Sequence, residues 1–71
     1  MPWVVACRVP DDPAWWWLTG RGTIAAKPQL ARVFDTELAA AELATSLQGN
    51  RKWSAHARDW RAMRLTERSV R

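Results

Sequence analysis

Hydrophobic and polar positions alternate along the first stretch of the chain. Trp3, Val5, Cys7 and Val9 share one face, and Val4, Ala6 and Arg8 share the other. A period of two carried by β-branched residues predicts a strand. Pro10-Asp11-Asp12-Pro13 reads as a turn, because proline breaks a ladder and aspartate bonds its own backbone. Ala14 to Thr19 reads as a second strand, so the two form a hairpin. Gly20-Arg21-Gly22 is a tight connection. Thr23 to Ala26 is either a short third strand or a continuation of the second past a bulge. Lys27-Pro28-Gln29 interrupts again, and Leu30 to Phe34 reads as an extended approach to a helix.

The helix has the clearest signal. Asp35 or Thr36 supplies the N-cap, and Glu37 follows where the macrodipole favours an anion. Leu38 to Gln48 is nearly all good helix formers. Ala39, Ala40, Leu43, Ala44 and Leu47 make one apolar stripe, with Glu42, Thr45, Ser46 and Gln48 largely off it. Gly49-Asn50 is expected to end the helix in the left-handed manner. The alanines let this helix approach a sheet closely.

Residues 52–65 support two readings. As a strand, Trp53, Ala55 and Ala57 alternate with Ser54, His56 and Arg58. Asp59 breaks that pattern, after which Trp60, Ala62 and Arg64 oppose Arg61, Met63 and Leu65. As a helix, Trp53, Ala57, Trp60 and Arg64 share a face, and Arg61, Arg64, Arg68 and Arg71 form one stripe. The strand is preferred, because a hairpin needs a further strand to be well covered by one helix. The expected fold is therefore α+β: a small antiparallel sheet, made of the N-terminal hairpin and a C-terminal strand, packed on one α-helix at about residues 36–48. A hairpin with two helices is the alternative. The whole of 1–71 reads as a single domain with its last five or so residues frayed.

The tryptophans sharpen this picture. Trp15, Trp16 and Trp17 in one strand must alternate, so Trp15 and Trp17 point one way and Trp16 the other. If Trp16 and Leu18 are core, Trp15 and Trp17 lie on the face the helix leaves open. Such a patch reads as a partner surface. It also reads as a homodimer face, or as plain structural cover in which the indoles pack on arginine stems, with Arg8 or Arg21 as cation–π partners.

Composition narrows the function. The 71 residues carry six tryptophans, one cysteine and one histidine. Cys7 cannot form an intramolecular disulfide, and a Cys/His zinc site within one chain is excluded. Large aromatic side chains are the remaining device for stabilising so small a core. The unpaired cysteine and the lack of a secretory leader or a membrane-length apolar run lead to the expectation of a cytoplasmic protein. Net charge is +4 and uneven. Residues 1–50 hold four basic and five acidic groups, whereas residues 51–71 hold seven basic and two acidic ones. Six of those seven are arginine, which suits forked recognition of carboxylate or phosphate.

No set of residues resembles catalytic machinery. Cys7 reads as a buried apolar thiol and His56 as a surface residue. Asp11 and Asp12 read as turn formers. Gly20-Arg21-Gly22 is too short to cradle a phosphate and lacks the lysine and hydroxyl of a P-loop. No cofactor or metal is expected.

The stretches "WWWLTGRG", "ARVFDTELAAAELATSL" and "RKWSAHARDWRAMRL" resemble small proteins common in phage, prophage and mobile-element genomes. In these an aromatic hairpin, an A-x-x-F-x-T/S-x-x-x-A entry to one helix and a closing W-x-A strand recur. The matching positions are Ala31, Phe34, Thr36, Ala40, Trp53 and Ala55. Anti-CRISPR proteins are among the characterised proteins of this size and origin, and the resemblance implies a non-enzymatic inhibitor of a host protein or ribonucleoprotein complex. The basic composition disfavours nucleic-acid mimicry. Partner-binding residues are expected to be Trp15, Trp16, Trp17, Arg21, Arg58, Trp60, Arg61 and Arg64. The alternative is a nucleic-acid-binding module built on Trp60 and the basic C-terminal third.

Overall fold

The computed structural model describes residues 2–64. It is an α+β fold with a four-stranded antiparallel sheet on one main helix. The strands are β1 (Trp3–Arg8), β2 (Trp15–Leu18), β3 (Ile24–Ala25) and β4 (Arg58–Arg64), in the order β3-β2-β1-β4. The helices are α1 (Glu37–Gln48) and a single turn, α2 (Arg51–Ser54). Among the described residues no helix is long and apolar enough to cross a membrane. The frayed ending expected from the sequence lies outside the described residues.

Strand alternation sorts the sheet into two faces. Val5, Cys7, Leu18 and Trp60 form the core with Ala40, Ala44 and Leu47 of α1, and with Phe34 and Ala57. Trp3, Val9, Trp16, Ile24 and Ala62 close its margin. The alanines of α1 allow the close approach, so bulky indoles can fill the space opposite. Ala39, expected on the stripe, is exposed; the buried row is Ala40, Ala44 and Leu47, with Leu43 half-buried. That row keeps the i, i+4, i+7 spacing of a core-facing helix.

Asp12 fixes the first hairpin. Its carboxylate accepts from the Ala14 amide and from Trp16 Nε1, each at 2.9 Å. The Ala14 bond first, then the Trp16 bond, hold its carboxyl below the usual carboxylate range. The link draws Trp16 to the helix side and so fixes which way Trp15 and Trp17 face. In the second turn the Thr19 amide donates to the Thr23 carbonyl at 2.8 Å. Gly22 sits at φ 77 there, a conformation that suits glycine. Residues 24–25 form a third strand paired with β2, settling that alternative.

A 3₁₀ turn at Pro28–Leu30 then leads into two isolated bridges, Thr19 with Ala31 and Trp3 with Phe34. These tie the extended approach to the sheet. Thr36 is the N-cap of α1, its hydroxyl accepting from the Ala39 amide at 3.2 Å. The helix stops at Gly49, but in a right-handed conformation (φ −84) rather than the left-handed one expected. Asn50 accounts for the difference. It adopts an extended backbone and caps the next turn, accepting from the Lys52 and Trp53 amides. The chain therefore reverses without a left-handed residue.

The C-terminal strand is present, but it starts at Arg58; residues 51–54 are helical. Trp53 thus comes from a helical turn, meeting Trp60 edge-on at 5.7 Å and 89°. Asp59, which broke the sequence pattern, is a β-bulge. Ala6 pairs with Arg61 and Arg8 with Arg58, so Asp59 and Trp60 together oppose Cys7. Asp59 has φ 56. The bulge turns Trp60 into the core and leaves Arg61 on the far side, and the Trp60 amide is satisfied by Gln48 Oε1 of α1 at 3.0 Å.

Candidate binding face

The sheet face away from α1 carries Val4, Ala6 and Arg8 of β1, Trp15 and Trp17 of β2, and Arg61 and Met63 of β4. Directly paired residues in an antiparallel ladder share a face. Val4 and Ala6 are fully buried even though α1 lies on the other side. The indole of Trp17 closes over them with Ala31, Trp15 and Met63, leaving Trp17 only 8% exposed.

Trp15 lies beside the arginines. The Arg8 guanidinium carbon is 4.6 Å from its ring centroid and that of Arg61 is 5.1 Å. Arg8 is the direct strand partner of Trp15, whereas Arg61 reaches from β4 across β1. Ala6 makes the crossing feasible, since it pairs with both Trp17 and Arg61 and its methyl group occupies little height. Arg58 pairs directly with Arg8. Two exposed guanidinium groups therefore converge on one half-buried indole, and a third exposed arginine, Arg58, lies beside Arg8 in the ladder. Among the described residues, no carboxylate forms an ion pair with Arg8, Arg58 or Arg61. Like charges directly opposed in a sheet repel, so this end of the face favours an anion.

The other end is different in kind. An open groove of about 490 Å³ is lined by Thr19, Gly20, Arg21, Thr23, Ala25 and Leu30. Ala25 pairs with Trp17, so the groove belongs to the same face. Leu30 is 56% exposed.

Of the eight residues expected to bind a partner, Trp15, Arg58 and Arg61 gather at the basic end and Arg21 lines the groove. Trp17 is the buried floor between them. Trp16 lies half-buried on the helix side, Trp60 is 7% exposed in the core, and Arg64 stacks over Trp3 at 5.9 Å, so these three are not brought to the face. The alternation argument holds for β2: Trp15 and Trp17 do oppose Trp16. Their outward side is nevertheless largely covered, by arginine stacking on Trp15 and by burial of Trp17. Arg8 was not among the expected binding residues, although its place on the Val4–Ala6 side was a usable signal. Cys7 is fully buried, and burial pushes its thiol up to about 11, away from nucleophilic use. Among the described residues no group of three or more His, Cys, Asp or Glu could hold a metal ion.

No protein-family model, curated protein or solved structure matches this chain.

Proposed function

We propose that the protein is a non-enzymatic binding protein that attaches to an acidic protein surface through the sheet face opposite α1. The observation that carries the reading is the stacking of Arg8 and Arg61 on Trp15, with Arg58 paired beside Arg8 and, among the described residues, no neutralising carboxylate. Arginine clusters beside a rigid aromatic side chain are the chemistry that dominates many protein interfaces. A strand of nucleic acid is less well served here. Non-specific strand binding relies on free aromatic faces on which bases stack. On this face Trp15 is already covered by guanidinium groups and Trp17 is buried. In the setting that the sequence resemblance implies, the partner is a host complex and the consequence of attachment is inhibition, as in an anti-CRISPR-like accessory protein of a phage or mobile element.

The test compares the wild-type protein with the double variant R58E/R61E, both checked for folding by circular dichroism. Tagged protein is used to capture partners from a host lysate with and without nuclease. An acidic protein retained after nuclease treatment by the wild type, and lost with the variant, is the expected result. Capture that disappears with nuclease, or that is unaffected by the charge reversal, would refute the reading.

A further inference from the structure

We infer that the groove between the β2–β3 turn and the 3₁₀ turn receives an apolar side chain of the same acidic protein segment that engages the arginines. The inference rests on the reading just proposed and adds the sequence character of the partner. Its basis is the continuity of one face with two unlike ends. At one end Arg8 and Arg61 stack on Trp15, with Arg58 paired beside Arg8. At the other, Leu30, Ala25 and the two threonines Thr19 and Thr23 line the groove, with Arg21 beside them.

The threonine hydroxyls make the groove less polar than their number suggests. Thr19 and Thr23 share a 2.8 Å hydroxyl–hydroxyl bond, and Thr19 Oγ1 also accepts from the Arg21 and Thr23 amides at 3.3 Å. Their hydrogen-bonding capacity is thus directed into the turn. Leu30 contributes an exposed apolar wall. An apolar side chain removes that wall from water, which neither a phosphate nor a sugar does. Arg21 at the rim matches a further acidic residue, so both ends select negative neighbours.

The spacing follows from the strand. Trp15 to Thr19 covers four steps of roughly 3.4 Å, or roughly 13–14 Å along β2. An extended peptide advances about the same distance per residue. The apolar residue therefore lies about four positions from the carboxylates that meet the arginine cluster.

Fluorescence anisotropy of labelled synthetic peptides tests this. Each peptide carries a run of glutamates and, about four positions on, Phe, Leu or Ser; oligo-dT of similar length is the fourth probe. The Phe and Leu peptides are expected to bind about tenfold more tightly than the Ser peptide. Leu30→Asp, a change at an exposed position, is expected to erase that preference. R58E/R61E is expected to weaken all the peptides alike. Equal affinities for Phe and Ser peptides, or a preference that survives both Leu30→Asp and Ala25→Glu, would overturn the groove assignment and leave the acidic-partner reading standing. Binding of oligo-dT with no binding of any peptide would overturn both.

Discussion

Asp59 offers the most direct test of how the C-terminal strand is built. The residue occupies the left-handed region, at φ 56, inside the β4 bulge. An L-residue with a Cβ atom costs about 1–2 kcal/mol there, and aspartate is penalised less because its short polar side chain can bond locally. Asp59→Gly removes the Cβ conflict, partly offset by the added freedom of the unfolded chain. Asp59→Ala keeps the Cβ and loses the local bonding. The glycine variant should therefore be more stable than the alanine variant by about 1–2 kcal/mol, with aspartate between them. For a domain of this size about 1 kcal/mol moves Tm by roughly 4–8 °C. Thermal melts followed by tryptophan fluorescence and far-ultraviolet circular dichroism give the comparison directly. Deleting Asp59 removes the extra residue and leaves Arg58 opposite Arg8, Trp60 opposite Cys7 and Arg61 opposite Ala6, so both flanks of β4 keep their faces and the variant is expected to fold. Coincident melts for the glycine and alanine variants, or a deletion variant that fails to fold, would refute the bulge and the account of which side chains it orients.

Two further outcomes follow from single contacts. Gln48→Ala leaves the part-buried Trp60 amide without its acceptor at 3.0 Å and should destabilise by about 1–3 kcal/mol in denaturant titration, whereas Gln48→Glu, which keeps an acceptor, should cost less. Burial raises the Cys7 thiol from its ordinary 9.0 to about 11, so its contribution is fully present below pH 9.0 and is lost as pH rises towards about 11, because the unfolded chain ionises first. Compared with Cys7→Ala, wild-type stability should fall more steeply across that window, by at most about 2–3 kcal/mol; parallel curves would show that the thiol does not stay protonated in the fold.

The elements with strong local signals were legible in the sequence. Thr36 before Glu37 marked the helix start, and the period of two marked β1 and the opposed tryptophans of β2. What escaped was decided by competition between neighbours. Gly49 looked like a left-handed stop, but Asn50 caps the following turn and makes that unnecessary. The same Asn50 was the available sign that Arg51–Ser54 would be helical, and composition alone did not separate that turn from the strand after it. The candidate face was half legible. Alternation placed Trp15 and Trp17 together, and a strand reading placed Arg61 and Arg64 on opposite sides. The approach of Arg61 to Trp15 across Ala6 depends on the order β2-β1-β4, which brings together residues 46 positions apart (61 − 15) and leaves no local trace.

That strand order also governs when the protein can become itself. β1 lies inside the sheet, yet one of its two neighbours is β4, the last described element to leave the ribosome. Until then Val4 and Ala6 lack β4 beside them, and Trp60 is missing from beneath α1. A nascent chain halted before residue 58 holds an unfinished sheet edge beside a strand with indoles on both faces, a ready template for unwanted pairing. Completion is thus tied to the synthesis of β4, and Arg61 reaches Trp15 only once that strand is in place.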